Sequence, residues 1–186
     1  KWGGLAGAHA ENAALYKHNK MKLISEGQTG WIGHMLSKPN LVEEEAIRRV
    51  ACFAEHLDMP MLIYHMTTKE GEKICRLAQQ RGICLYSETC SHYLVFNSKV
   101  YDRDDGYLYL ISPPIRPQED VEAIWQGLSE GSISSCSTDH APWTLEEKTM
   151  NLKRDENGKI IPEFYKVPNG GPGIELRLPI LLDGVS

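Results

Sequence analysis

No stretch of this sequence approaches the ~20 consecutive apolar residues that a membrane-spanning helix requires, and no secretory leader is visible at its start. Basic residues are neither in excess nor clustered. Lys and Arg number 20 against 25 Asp and Glu, giving a net charge of −5 with the two signs interspersed. Without a cationic stripe there is nothing to neutralise a phosphate backbone, so neither nucleic acid nor a membrane is expected as a partner. The five cysteines, Cys52, Cys75, Cys84, Cys90 and Cys136, are odd in number, widely spaced and lack a Cys-x-x-Cys pair. That excludes a disulfide framework and a zinc-finger pattern. Most of them are expected to be small core residues, and a cytoplasmic location fits a chain of free thiols. Internal repeats, low-complexity tracts and linkers are absent as well.

What is present is an ordinary globular composition, 186 residues of which 41% are hydrophobic. That is enough for a core but short of the ~250 residues of a complete (β/α)₈ barrel. The chain starts at Lys1 and stops inside an apolar run, residues 178–185, so it is expected to be an internal piece of a longer protein. The acidic run Glu43-Glu44-Glu45 stands at an expected helix start, where carboxylates match the positive end of the dipole, and is expected to be a solvated face.

Short apolar strands alternate with helix-length amphipathic segments, the pattern of a parallel α/β fold. Strands are expected at residues 5–9, 61–65, 83–88 and 133–139. Residues 41–57 place Val42, Ala46, Val50, Phe53, Ala54 and Leu57 on one helical face. Thr67-Thr68-Lys69-Glu70 carries a capping-box signature for a helix ending before Gly82. A third helix follows Pro117, with Val121, Ile124, Trp125 and Leu128 inward. Residues 151–165, centred on Glu156-Asn157-Gly158-Lys159, form a polar loop or small hairpin, and a longer excursion separates Cys90 from Pro117. An open doubly wound sheet would give the same string of elements.

The polar residues separate the two. Three of the four strands end in a metal-binding type, His9, His65 and Asp139. In a βα barrel all strand carboxyl ends meet on one face, so groups distant in sequence converge there. Imidazole and carboxylate are both good zinc ligands, and a catalytic zinc keeps a position open for water. His18, His34 and His56 sit away from strand ends and are assigned structural roles. Supporting roles fall to Glu88, Cys136 and His140.

The local wording is more specific. Gly7-Ala8-His9-Ala10-Glu11-Asn12, Tyr64-His65-Met66-Thr67-Thr68, Ser87-Glu88-Thr89-Cys90-Ser91-His92-Tyr93-Leu94, Ile111-Ser112-Pro113-Pro114-Ile115-Arg116, Ser137-Thr138-Asp139-His140 and Pro168-Asn169-Gly170 follow one another in this order. In these words the chain resembles the hydantoinase and dihydropyrimidinase family of cyclic amidohydrolases, over nearly its whole length. The resemblance implies an α/β fold, the C-terminal half of a (β/α)₈ TIM-type barrel of the metal-dependent amidohydrolase kind. Residues 1–186 would be part of one catalytic domain, about strands five to eight. It implies two divalent metal ions, zinc by preference, with His9 and His65 on the second ion and Asp139 on the first. Asp139 would also be the catalytic proton shuttle, and Ser112 and Asn169 would hold the substrate's cyclic amide, largely through main-chain atoms.

The reaction implied is hydrolysis of a hydantoin or dihydropyrimidine to an N-carbamoyl amino acid, by metal-activated hydroxide. The small-molecule substrate is the expected partner, and the family resemblance implies a homotetramer. A His-x-His pair and a bridging carboxylated lysine, which such a site needs, lie outside this stretch; Lys1 is wrongly placed to be that bridge. Alone, these residues are expected to be inactive. Two other readings stay open. One is another cyclic-amide hydrolase, an allantoinase or dihydroorotase: Asp139-His140-Ala141-Pro142 and Ser91-His92-Tyr93-Leu94 resemble allantoinase wording, whereas Ser112-Pro113-Pro114, Pro168-Asn169-Gly170 and the run from His34 to Pro39 favour hydantoinase. A dihydropyrimidinase-like scaffold that has lost catalysis is the other, and retention of His9, His65 and Asp139 together argues against it.

Overall fold

A computed structural model describes residues 3–184; Lys1, and Val185 at the end of the apolar run, lie outside the described residues. Four strands, β1 (Ala6–Ala8), β2 (Met61–Ile63), β3 (Leu85–Cys90) and β4 (Ser135–Ser137), form one parallel sheet in the order β1-β2-β3-β4. The register pairs Ala8 with Ile63, Ile63 with Ser87 and Cys90 with Ser137. Each strand therefore neighbours the next in the chain, with no reversal of the kind that marks the switch point of a doubly wound sheet. Helices make the crossovers. α1 (Ala13–Ser25), the short α2 (Gly33–Ser37) and α3 (Asn40–Leu57) join β1 to β2, and α4 (Lys69–Gln80) joins β2 to β3. α5 (Ser91–Val95) and α6 (Gln118–Glu130) precede β4, and α7 (Leu145–Thr149) and α8 (Arg177–Asp183) follow it.

The main core lies between the sheet and its helices. Ile47 of α3, Ile63 of β2, Cys75 of α4, Leu85 of β3 and Ile124 of α6 are all buried there. Burying each large aliphatic side chain contributes about 1.5–3 kcal/mol relative to leaving it exposed. Trp125 and Leu128 pack partly buried against the same cluster, as their helical spacing from Val121 and Ile124 predicts. A second apolar cluster sits under the strand-end loops and contains Leu23, Trp31, Tyr93, Tyr101, Leu110 and Phe164. The excursion after Cys90 builds it through two 3₁₀ turns, Ser98–Asp102 and Gly106–Tyr109. Residues 151–165 contain a tight turn: Arg154 bridges Ile160 in antiparallel fashion, and Gly158 supplies a φ of 78°.

Several expectations are corrected. Phe53 and Leu57, placed inward by their helical period, are exposed, while Val42, Ala46 and Ala54 of the same helix are buried. Among the cysteines only Cys75 and Cys90 are buried; Cys52 and Cys84 are exposed. Helix α4 begins one residue later than the capping-box signature predicts. Thr68, not Thr67, is the cap, and its hydroxyl accepts from Gly71 N at 3.2 Å. Glu70 points elsewhere, accepting from Asn40 Nδ2 at 2.9 Å.

The carboxylate that helps cap α4 comes from Glu43, which is 1% exposed and not a solvated residue. It accepts from Thr67 N at 2.8 Å and Thr68 N at 3.2 Å, and from both threonine hydroxyls. Arg116, also buried, faces it at 3.3 Å and donates to Thr67 Oγ1 at 3.0 Å and to the carbonyl of Lys38. One buried ion pair thus ties α3, the loop after β2 and the 112–116 loop together. Removing one partner of such a pair strands the other charge, at a cost of about 3–5 kcal/mol. Glu43→Gln is therefore expected to lower unfolding stability by that amount in chemical denaturation, and an unchanged midpoint would contradict this account of the network.

Candidate active site

Because the strands are parallel, their carboxyl ends share one edge of the sheet. His9 immediately follows β1, and His65 and Asp139 lie two residues beyond β2 and β4. The structure brings the two histidines together. His9 Nδ1 is 2.8 Å from His65 Nε2, and the rings meet edge to face with centroids 4.5 Å apart. His65 and Asp139 both turn through left-handed backbone, with φ of 38° and 41°. Such conformations are uncommon for non-glycine residues and cluster at functional sites, where the surrounding structure holds the strain.

Asp139 is exposed, yet its charge bears on His65 and also on His92. Burial, reinforced by the neighbouring His9, pushes His65 down to about 4, against the opposing pull of Asp139. Burial likewise pushes His92 down to about 4. Both rings are therefore neutral near pH 7, the state in which imidazole binds a metal. His92 also stands two residues beyond a strand, β3, so all four strands deliver a polar group to this edge. Placing the third strand at 83–88 conceals this, because the strand runs on to Cys90.

The outer nitrogen of His9 is fixed by Glu11. His9 Nε2 lies 2.8 Å from Glu11 Oε2, a carboxylate that also accepts from Lys38 Nζ at 2.7 Å. Burial alone would raise the Glu11 carboxyl, but the hydrogen bond from His9 and the charge and hydrogen bond of Lys38 hold it at about 2. An ionised Glu11 keeps the proton of His9 on Nε2 and leaves Nδ1 as the lone-pair nitrogen facing His65.

Ser112 and Asn169 belong to two loops that are stitched together beside this edge. Lys148, buried in α7, donates to Leu110 O at 3.2 Å and to Pro168 O at 2.9 Å. Leu110 O also accepts from Gly170 N at 3.1 Å. Gly170 has φ 130°, and a Cβ there would stand 2.6 Å from Ala141 O, so the turn requires glycine. The buried His34 lies 2.6 Å through Nε2 from Ile111 O, and burial pushes it down to about 4, which fixes a neutral Nε2–H donor beside Ser112. The Ser112 hydroxyl accepts from Lys38 Nζ at 2.8 Å, and Asn169 O accepts from Trp143 Nε1 at 2.9 Å. His140 does not reach a ligand; its Nδ1 accepts from Gly173 N at 3.2 Å and closes the loop after Asp139.

Two facing imidazole nitrogens fit part of a metal centre. Nitrogens sharing one tetrahedral ion at ~2.05 Å stand about 3.3 Å apart, so this pair would open by roughly half an ångström. His65 Nδ1, Glu11 Oε1 and His92 Nε2 are buried without a hydrogen-bond partner, so polar capacity is left over at this edge. Among the described residues no three His, Cys, Asp or Glu side chains converge as a complete ligand set. These residues fit as a partial set, to be completed by others.

A parallel sheet whose strands follow one another in chain order, with imidazoles and a carboxylate at their carboxyl ends, is the layout of part of a βα barrel with a polar site on its rim. Comparison with known proteins narrows this. The D-hydantoinase of Ralstonia pickettii is 34% identical over 188 aligned positions, covering 100% of this chain and 39% of that protein. A D-phenylhydantoinase of Escherichia coli is 32% identical over 180 positions, covering 96% and 37%. The crystal structure of dihydropyrimidinase from Brevibacillus agri superposes with a TM-score of 0.89 at 30% identity, over 98% of this chain and 39% of that one. No family model matches the chain. Along its whole length the chain is similar to hydantoinases and dihydropyrimidinases, and it spans about 39% of the length of these relatives. No helix among the described residues is long and apolar enough to cross a membrane.

Proposed function

We propose that the protein carrying these residues opens a cyclic amide ring, a hydantoin or a dihydropyrimidine, to give an N-carbamoyl amino acid. The observation that carries this reading is the facing pair His9 Nδ1 and His65 Nε2, 2.8 Å apart, on the sheet edge that also bears Asp139. His9 and His65 would hold one divalent cation and Asp139 a second, zinc suiting imidazole and carboxylate best. When bound, the cations supply Lewis acidity and a water acidic enough to ionise near neutrality. A His-x-His pair and a bridging carboxylated lysine would come from outside residues 1–186. These residues would form part of a single catalytic barrel, about its strands five to eight, in a cytoplasmic homotetramer.

The chain's own groups do the rest. The Asp139 carboxylate is exposed and lies within electrostatic reach of His65 and His92, so it can take the proton of the attacking water. It would then deliver that proton to the departing ring nitrogen, the step that makes a poor leaving group a good one. Main-chain groups at Ser112 and Asn169 would hold the planar amide. Asn169 O keeps one lone pair after accepting from Trp143, so it can still receive a ring N–H.

The test is a substrate panel on the full-length protein: hydantoin, dihydrouracil and allantoin, each with and without a chelator. Opening of hydantoin or dihydrouracil, lost on chelation, is the expected result. Turnover of allantoin alone would transfer the protein to the allantoinase reading. No turnover, with no stoichiometric zinc, would make it a scaffold.

A further inference from the structure

Lys38 is the one lysine among the described residues that touches both sides of the site. It is 4% exposed, an unusual place for an ammonium group. One donor goes to Glu11 Oε2 at 2.7 Å, the carboxylate that orients His9. Another goes to Ser112 Oγ at 2.8 Å, and the charge lies 4.7 Å from the centre of the Tyr16 ring. The backbone of the same residue is also held, because its carbonyl accepts from Arg116 Nη1. Residue 38 therefore grips the 112–116 loop twice, by side chain at Ser112 and by main chain at Arg116. The chain of contacts His65–His9–Glu11–Lys38–Ser112 runs unbroken at hydrogen-bond distances of 2.7–2.8 Å.

We propose that Lys38 is a positioning residue that couples the imidazole pair to the loop carrying Ser112, so that cation binding and substrate placement are linked. The proposal rests on the reading that His9 and His65 hold a cation. The physical reason is that a buried lysine with two short, directional contacts cannot lose one without shifting the other. Moving the Ser112 loop pulls on Glu11, and Glu11 sets both the tautomer and the tilt of the His9 ring. Groups that orient a metal-binding histidine are worth about 10–100-fold in metal affinity. A lysine present only to fill space would make neither contact.

The experiment uses the full-length protein with zinc as probe. Apparent zinc affinity by chelator competition, KM, kcat and the thermal stability of the metal-free form are measured for Lys38→Met, Lys38→Arg and Ser112→Ala. Lys38→Met is expected to weaken zinc binding about 10–100-fold and to raise KM. Lys38→Arg, whose guanidinium still reaches Glu11, is expected to recover most of the zinc affinity. Ser112→Ala, which removes one of the two Lys38 contacts, should raise KM and weaken zinc binding by less than Lys38→Met does, and should add nothing to either in the Lys38→Met background, where the link is already cut. Zinc affinity in Lys38→Met within twofold of the parent would overturn the proposal, as would lower thermal stability with unchanged zinc affinity. Failure of the underlying reading has a different signature: His9→Ala then retains the parent's zinc affinity, and the coupling falls with it.

Discussion

Replacing Asp139 by asparagine is expected to lower ring-opening turnover in the full-length protein by about 10³-fold or more, with the fold retained. Asparagine is the right probe because Asp139 sits at φ 41°, a region asparagine tolerates better than most residues. Alanine would add about 1–2 kcal/mol of backbone strain to the chemical loss, so Asp139→Ala should also abolish turnover but at some cost in stability. The amide cannot carry a proton from water to a ring nitrogen, and that relay accounts for about 10²–10⁴-fold of rate. Loss of a negative ligand would add to it. Steady-state kinetics with unchanged circular dichroism would bear this out. Near-normal hydrolysis by Asp139→Asn would reject the proton-shuttle role outright.

His65→Ala is expected to cost one metal ion per subunit. His65 Nε2 faces His9 Nδ1, and its ring is buried and neutral near pH 7, so binding through Nε2 needs only a change of tautomer and no loss of net charge. Once it is removed, His9 alone offers a single imidazole, and an ion left with one fewer ligand dissociates far more readily. His65→Asn is the companion variant, since asparagine also suits the left-handed backbone at φ 38°. Elemental analysis of both variants against the parent decides the matter. Metal content equal to the parent's would count against His65 as a ligand.

The strand-end histidines are legible in the sequence because two periodicities coincide there. A short apolar strand followed by a helical pattern locates each strand's carboxyl end, and His9 and His65 fall on it. His92 is hidden by an error of two residues in one strand end. The sequence pattern stops that strand at Glu88, where charge begins, but β3 continues through Thr89 and Cys90, both buried. Local polarity is a poor guide when the sheet edge is covered by a second core.

The buried charges are illegible for a different reason. Glu43 stands in a run of three acids at a helix start, which is ordinarily a solvated arrangement. Its partners, Thr67, Thr68 and Arg116, come from two other loops, and no local pattern announces them. Lys38 is similar: its burial makes sense only when Glu11 and Ser112 are brought to it. Amphipathic period fails in the opposite sense at Phe53 and Leu57, which are exposed although Val42, Ala46 and Ala54 of the same helix are buried. Ala54 lies between the two in sequence, so the core covers this end of α3 but only part of the face that the period marks out.

Anomalous X-ray diffraction from the zinc-loaded full-length protein, collected on either side of the zinc edge, tests the central claim most directly. A peak bonded to His9 Nδ1 and His65 Nε2, with a second beside the Asp139 carboxylate, is the predicted map. Zinc found elsewhere, with those two nitrogens still turned to each other across a hydrogen bond, would contradict it.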